Sequence, residues 1–147
     1  MVFDVGLLEP EKHIKGWGYE LWYVNEPYCM KLLVVDGERE CSVHAHKEKD
    51  ETFRMLSGGL YLDLYPKSVV DWTEVSSDVL NASVEERTRL LGPVSRLVFH
   101  PGDTIRIHPG LPHRFRGIHS ENSMLELSTI HYEEDSIRIL DGDSQRG

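Results

Sequence analysis

Hydrophobic positions along the chain fall in short clusters, most of them β-branched or aromatic, and Gly, Pro or Asp bounds nearly every cluster. The spacing follows the two-residue period of strands, not the 3.6-residue period of helices. It predicts strands over 19–24, 28–35, 40–46, 51–56, 60–65, 96–99, 103–107, 113–118 and 124–131. Turn sequences separate them: Asn25-Glu26-Pro27, Asp36-Gly37, Ser57-Gly58-Gly59, Pro101-Gly102-Asp103 and Pro109-Gly110. So many short strands at near-regular spacing predict an all-β sandwich or barrel. Residues 66–87 break the rhythm, being polar, acidic and rich in Ser and Val, and are expected to form a loop insertion with a helical turn near 84–89. Such an insertion serves either as a lid or partner surface, or as an idle decoration. The polar stretch 140–147 is expected to be only partly ordered.

Composition narrows the function classes. At 147 residues the chain suits one domain with a real core. Its formal net charge of −9, with no basic stripe, repels phosphate backbones and argues against nucleic-acid binding. No apolar stretch approaches the roughly 20 residues of a membrane helix. The acidic opening lacks the basic-then-apolar signature of a secretory signal. Two cysteines, Cys29 and Cys41, make no disulfide framework and are expected to be small buried residues. The expectation is therefore a soluble, cytoplasmic domain without membrane or nucleic-acid partners. Eight histidines are the unusual feature.

Three of those histidines are spaced for metal binding. On a strand, side chains at i and i+2 share a face, so His44 and His46 project together. Glu51 opens the next strand after the short charged turn Lys47-Glu48-Lys49-Asp50, expected to be solvated, and a hairpin returns its carboxylate to both imidazoles. A Pro-Gly turn then leads to His113 at the start of a later strand. Imidazoles plus one carboxylate suit a divalent first-row ion with open coordination positions.

These two segments resemble the paired motifs of the cupin superfamily. The first motif, G-x5-HxH-x3,4-E-x6-G, is matched from His44 to Gly58, with six residues between Gly37 and His44. The second, G-x5-PxG-x2-H-x3-N, is matched at Gly102, Gly110 and His113, with proline at 109, His108 in the usual proline place and Gly117 in place of Asn. The resemblance implies an all-β double-stranded β-helix, or jelly roll, with His44, His46, Glu51 and His113 around a divalent metal ion. Manganese is the first choice; iron, zinc, nickel and cobalt suit the same donors.

The flanks resemble sugar-processing cupins. Trp17-Gly18-Tyr19-Glu20 followed by Lys31 looks like the WGxE…K pattern of D-lyxose isomerase-like and type II phosphomannose isomerase-like proteins, and residues 125–145 look like the end of that group. Lys31 and Glu126 each place a charge inside an otherwise apolar strand. Either they line the metal cavity or they pair with each other across the barrel. By resemblance they are the catalytic pair of an aldose–ketose isomerase, Glu126 as base and Lys31 as acid or electrostatic clamp.

Trp17, Tyr61 and His108 are candidate substrate contacts; the alternatives are aromatics in the core and a histidine holding its own turn. Arg54, Arg96 and Arg138 could hold a phosphate, but no glycine-rich phosphate loop accompanies them, which favours a free sugar. The expected activity is metal-dependent interconversion of a D-lyxose- or mannose-type aldose and its ketose by a homodimer. The competing expectations are a non-catalytic sugar or nucleotide-sugar binding cupin and an Fe(II)-dependent dioxygenase.

Overall fold

The computed structural model describes residues 1–147 and contains eleven strands in two antiparallel sheets. The strands are β1 (Glu11–Lys15), β2 (Gly18–Asn25), β3 (Cys29–Asp36), β4 (Val43–His46), β5 (Glu51–Ser57), β6 (Leu60–Leu64), β7 (Ser95–Phe99), β8 (Thr104–Ile107), β9 (His113–Gly117), β10 (Glu121–Ser128) and β11 (Ser136–Leu140). One sheet runs β1-β2-β3-β10-β5-β8 and the other β11-β4-β9-β6-β7. Strands distant in sequence are thereby neighbours, as a jelly roll requires.

All nine expected strands form, with shifted ends. The stretch expected at 124–131 begins instead at Glu121, and that expected at 40–46 pairs regularly only from Val43, Glu40 making a single bridge to Arg116. Two strands were not expected. β1 is an edge strand whose one aliphatic residue, Ile14, points to solvent, so it carries no burial signal. β11 alternates Ile137 and Ile139 with polar residues and pairs with β4.

Each inner face changes character along its length. Leu33, Val35, Phe53, Met55, Phe115 and Met124 fill one end of the interior. Two residues along the same faces stand Lys31, Glu51, His113 and Glu126. Because the side-chain period is two, the same strands line an apolar core and, further along, a polar cavity. Gly117 stands where the family motif has Asn because a Cβ there would run into the carbonyl oxygen of Asp36. Gly58 turns the β5–β6 hairpin at φ 77°, a left-handed conformation that favours glycine.

The insertion is ordered. A 3-10 turn (Trp72–Glu74), α1 (Ser77–Leu80) and α2 (Val84–Leu91) lie against the outer faces of β4 and β11. Trp72, Leu90 and Leu91 bury themselves against Val43, Ala45, Ile137 and Ile139 in a second apolar cluster. The C-terminal residues are fixed as well, against expectation. α3 (Asp143–Arg146) is held by the Gly16 N–H donating to Ser144 Oγ at 2.9 Å and the Glu40 N–H to Asp143 Oδ2 at 2.8 Å. No helix is long and apolar enough to cross a membrane.

Candidate metal centre and charged cavity

The expected His-x-His pair and His113 converge. One ring nitrogen from each of His44, His46 and His113 lies within 4.8 Å of the others. The register explains it: His44 on β4 stands opposite His113 on β9. Glu51 Oε2 lies 3.2 Å from His46 Nε2 and 3.3 Å from His113 Nε2. Two of the rings are oriented by backbone carbonyls. His44 Nδ1 donates to the Ser42 carbonyl at 2.9 Å and His113 Nδ1 to the Leu111 carbonyl at 2.8 Å. That assignment leaves both Nε2 atoms as lone-pair donors facing the centre.

Glu51 Oε2 and His113 Nε2 are buried and make no hydrogen bond. Unpartnered lone pairs converging in a buried site are costly unless a cation meets them, so the donor set fits a divalent ion. The electrostatics agree. Burial, then the neighbouring imidazoles of His113 and His46, hold His44 well below its ordinary value and so in the neutral, ligating form. Burial works against ionising Glu51, but His113, His46 and Lys49 outweigh it and keep the carboxylate charged.

Beside this cluster lies a cavity of about 400 Å³. Its wall carries Lys31 and Glu126, which are 2% and 4% exposed and sit opposite each other in the β3–β10 register. They do not pair with each other. Lys31 Nζ lies 3.5 Å from Glu20 Oε1 and 4.0 Å above the Trp22 ring. Glu126 Oε2 accepts from Lys49 Nζ at 2.6 Å.

Lys49 was expected in solvent and is instead 3% exposed. Glu48 and Lys49 donate their backbone N–H groups to the Asp135 carboxylate at 2.8 and 3.0 Å, which folds the turn inward. Lys49 Nζ also reaches Glu51 Oε1 at 3.8 Å and His131 Nδ1 at 3.2 Å. Burial opposes its charge, but Glu126 and Glu51 raise its pKa above the ordinary lysine value. Asp135 Oδ2 also lies 3.9 Å from His46 Nδ1, beyond hydrogen-bond distance, so the carboxylate braces the Lys49 turn and leaves His46 Nδ1 unpartnered. Sequence spacing offers little sign of Lys49: it lies in a mixed charge run before a strand starts, where no periodicity assigns a face.

The expected substrate contacts fare differently. Trp17 lines the cavity but is 5% exposed and packs edge-on against Phe115, as floor more than stacking surface. Tyr61 and His108 are corrected: neither borders the cavity. Strand alternation turns Tyr61 outward from Leu60 and Leu62 to lie beside Arg96, and His108 sits exposed next to the Pro-Gly turn. Cys29 and Cys41 are buried and free, and burial pushes the Cys41 thiol up to about 12. His131 also lines the cavity, where burial and then Lys31 and Lys49 depress its pKa.

Solved structures of similar fold are cupins. Oxalate decarboxylase from Bacillus subtilis superposes with a TM-score of 0.66 at 13% identity, covering 93% of this chain and 33% of that one. The capsular polysaccharide assembling protein CapF from Staphylococcus aureus gives 0.65 at 11% identity, covering 88% and 34%. A formate complex of oxalate decarboxylase from Lactobacillus farciminis gives 0.63 at 13% identity, covering 93% and 37%. The chain spans about a third of the length of these structures, and the likeness shows the fold. No curated protein matches it by sequence. The sequence pattern described as D-lyxose isomerase matches residues 19–139, most of the chain, and the protein belongs to that cupin family.

Proposed function

We propose that the protein is a metal-dependent sugar isomerase, interconverting an aldose and a ketose of the lyxose or mannose type. The observation that carries this reading is the buried Glu126–Lys49 pair, 2.6 Å apart, in one cavity with the histidine cluster. His44, His46, Glu51 and His113 hold the ion, with manganese as the first choice. When bound, it supplies Lewis-acid stabilisation to the substrate's neighbouring oxygens.

Glu126 removes the proton from C2 of the aldose and returns it to C1, passing through an enediolate. Lys49 holds the Glu126 carboxylate in place through its 2.6 Å hydrogen bond and donates toward the oxygen that gains charge. Lys31, fixed between Glu20 and the Trp22 face, adds a positive charge at short range. Trp17 and Phe115 close the floor against water.

The test is isotopic. Manganese-loaded protein incubated in deuterium oxide with a panel of free and phosphorylated pentoses and hexoses is expected to place deuterium at C1 or C2 of at least one. No exchange into any of them overturns the reading. Ligand-induced thermal stabilisation without exchange would instead indicate a binding cupin, and oxygen uptake by the iron form a dioxygenase.

A further inference from the structure

One polar stripe of the cavity has no task in the isomerase chemistry. β11 pairs with β4 so that Ser136 stands opposite His46 and Arg138 opposite His44. Ile137 and Ile139 turn the other way into the second apolar cluster. Alternation therefore sends Ser136 and Arg138 to the cavity side, and both line it.

Arg138 differs from its counterparts. Arg96 grips Asp63 with bonds of 2.7 and 3.0 Å. Arg54 donates to Thr104 Oγ1 at 3.1 Å, and Arg114 to the Cys41 carbonyl at 2.9 Å. Arg138 is exposed at the cavity mouth and has neither carboxylate nor carbonyl to engage. Lys15, at the end of β1, borders the same mouth without an ion pair. Gln145 also lines it; its Oε1 accepts from the Gly142 N–H at 2.9 Å, which leaves its amide N–H groups as donors.

Charge balance points the same way. Lys15, Lys31, Lys49 and Arg138 line the cavity against Glu20, Glu51, Glu126 and Glu133, an even count inside a chain of net charge −9. The inner cations are each matched, Lys31 by Glu20 and Lys49 by Glu126. Glu133 is engaged by His131 at 3.1 Å. Neither cation at the mouth makes an ion pair: Lys15 acts on Glu20 and Glu133 only through space, and Arg138 engages no carboxylate. A divalent ion on the histidine cluster adds two positive charges to this balanced wall, and a phosphate monoester brings about −1.5 to −2 at neutral pH.

We infer that the mouth is an anion subsite and that the sugar handled here carries a terminal phosphate. Resting on the isomerase reading, it places the reactive carbons at the histidine cluster and the phosphate on Arg138 and Lys15, with the Ser136 hydroxyl and Gln145 amide as further donors. A guanidinium fork matches phosphate oxygens in pairs. Side chains supply the donors, so the missing glycine-rich loop is no obstacle.

Calorimetric titration of the manganese-loaded protein compares D-mannose with D-mannose 6-phosphate, D-lyxose with D-lyxose 5-phosphate, and D-mannuronate as a carboxylate arm. At least one phosphorylated sugar is expected to bind more tightly than its free form by about tenfold or more, the worth of one charge-assisted bond. Arg138→Met is expected to shrink that ratio to about threefold or less and Arg138→Lys to keep part of it, while Arg54→Met, outside the cavity, leaves the ratio unchanged. Equal affinity for free and phosphorylated sugars overturns the inference, as does a ratio that survives Arg138→Met or a uronate that binds as tightly as the phosphate.

Deuterium exchange on the same sugars separates the two readings. No exchange with any sugar sinks the isomerase, whereas exchange into free sugars with no phosphate preference sinks only the anion subsite.

Discussion

Glu126 is a carboxylate with two neighbours pulling on it. Lys49 donates to it at 2.6 Å, and Ser128 Oγ lies 3.5 Å from the same oxygen. Replacing it by Gln keeps the shape and removes the basicity, so Glu126→Gln is expected to slow deuterium exchange by about 10²–10⁴-fold, the range for a lost general base. Manganese content, measured by elemental analysis, should be unchanged, because Glu126 is not among the converging donors. Loss of metal together with activity would instead place Glu126 in the metal site. At this scale the sequence is informative where chemistry follows strand spacing. His44, His46, Glu51 and His113 lie on regular strands or at their first residue, so counting assigns their faces. Lys49 lies in a turn, and its direction is set by Asp135, 86 residues away, through backbone N–H groups that no side-chain pattern reveals.

The element that departs most from expectation is the insertion. Its helices cover β4 and β11 from outside while the inner faces of the same strands carry His44, His46, Ser136 and Arg138. The insertion is therefore a buttress for the site wall. Ser83 accepts from the Glu86 N–H at 3.1 Å and so starts α2, which turns Leu90 and Leu91 inward. Leu91 is fully buried, and Leu91→Ala is expected to cost about 2–5 kcal/mol of stability by urea denaturation, the usual toll of a large-to-small core change. A loss under about 1 kcal/mol would mean the insertion is decorative after all. The strands built on alternation were legible, and the two that close the sheets were not. β1 buries almost nothing, and β11 follows an acidic run that masks its Ile137–Ile139 alternation. Their places are set by long-range pairing with β2 and β4, which only the closed fold supplies.

Across the whole molecule, the buried titratable groups around the cavity make stability depend on pH in one direction on the acid side. His44 and His131 both have folded pKa values below the ordinary 6.5, chiefly because burial disfavours their charged forms. Below pH 6.5 the unfolded chain therefore takes up protons that the native state refuses, and folding stability falls as pH falls. For a single buried histidine the slope approaches about 1.4 kcal/mol per pH unit, and His131, closer to solvent, adds less. Glu20 and Glu51 continue the trend. Their folded pKa values lie below 4.5, so their contribution is present above that value and is lost as pH falls through the folded ones. Lys49 acts at the other end: its folded pKa is raised above 10.5, so its contribution is complete below 10.5 and lost on passing the folded value. Urea midpoints of the metal-free protein are thus expected to hold level between about pH 7 and 8.5, to fall above about pH 9 as the unfolded chain ionises the cysteine thiols that burial keeps protonated in the fold, and to fall steadily from pH 7 toward 4. Manganese should steepen the acid limb, because its ligands must be deprotonated to bind. Midpoints that stayed flat or rose between pH 7 and 5 would mean that the cavity histidines are already protonated in the folded chain. That result would also remove the neutral donor set on which the metal centre depends.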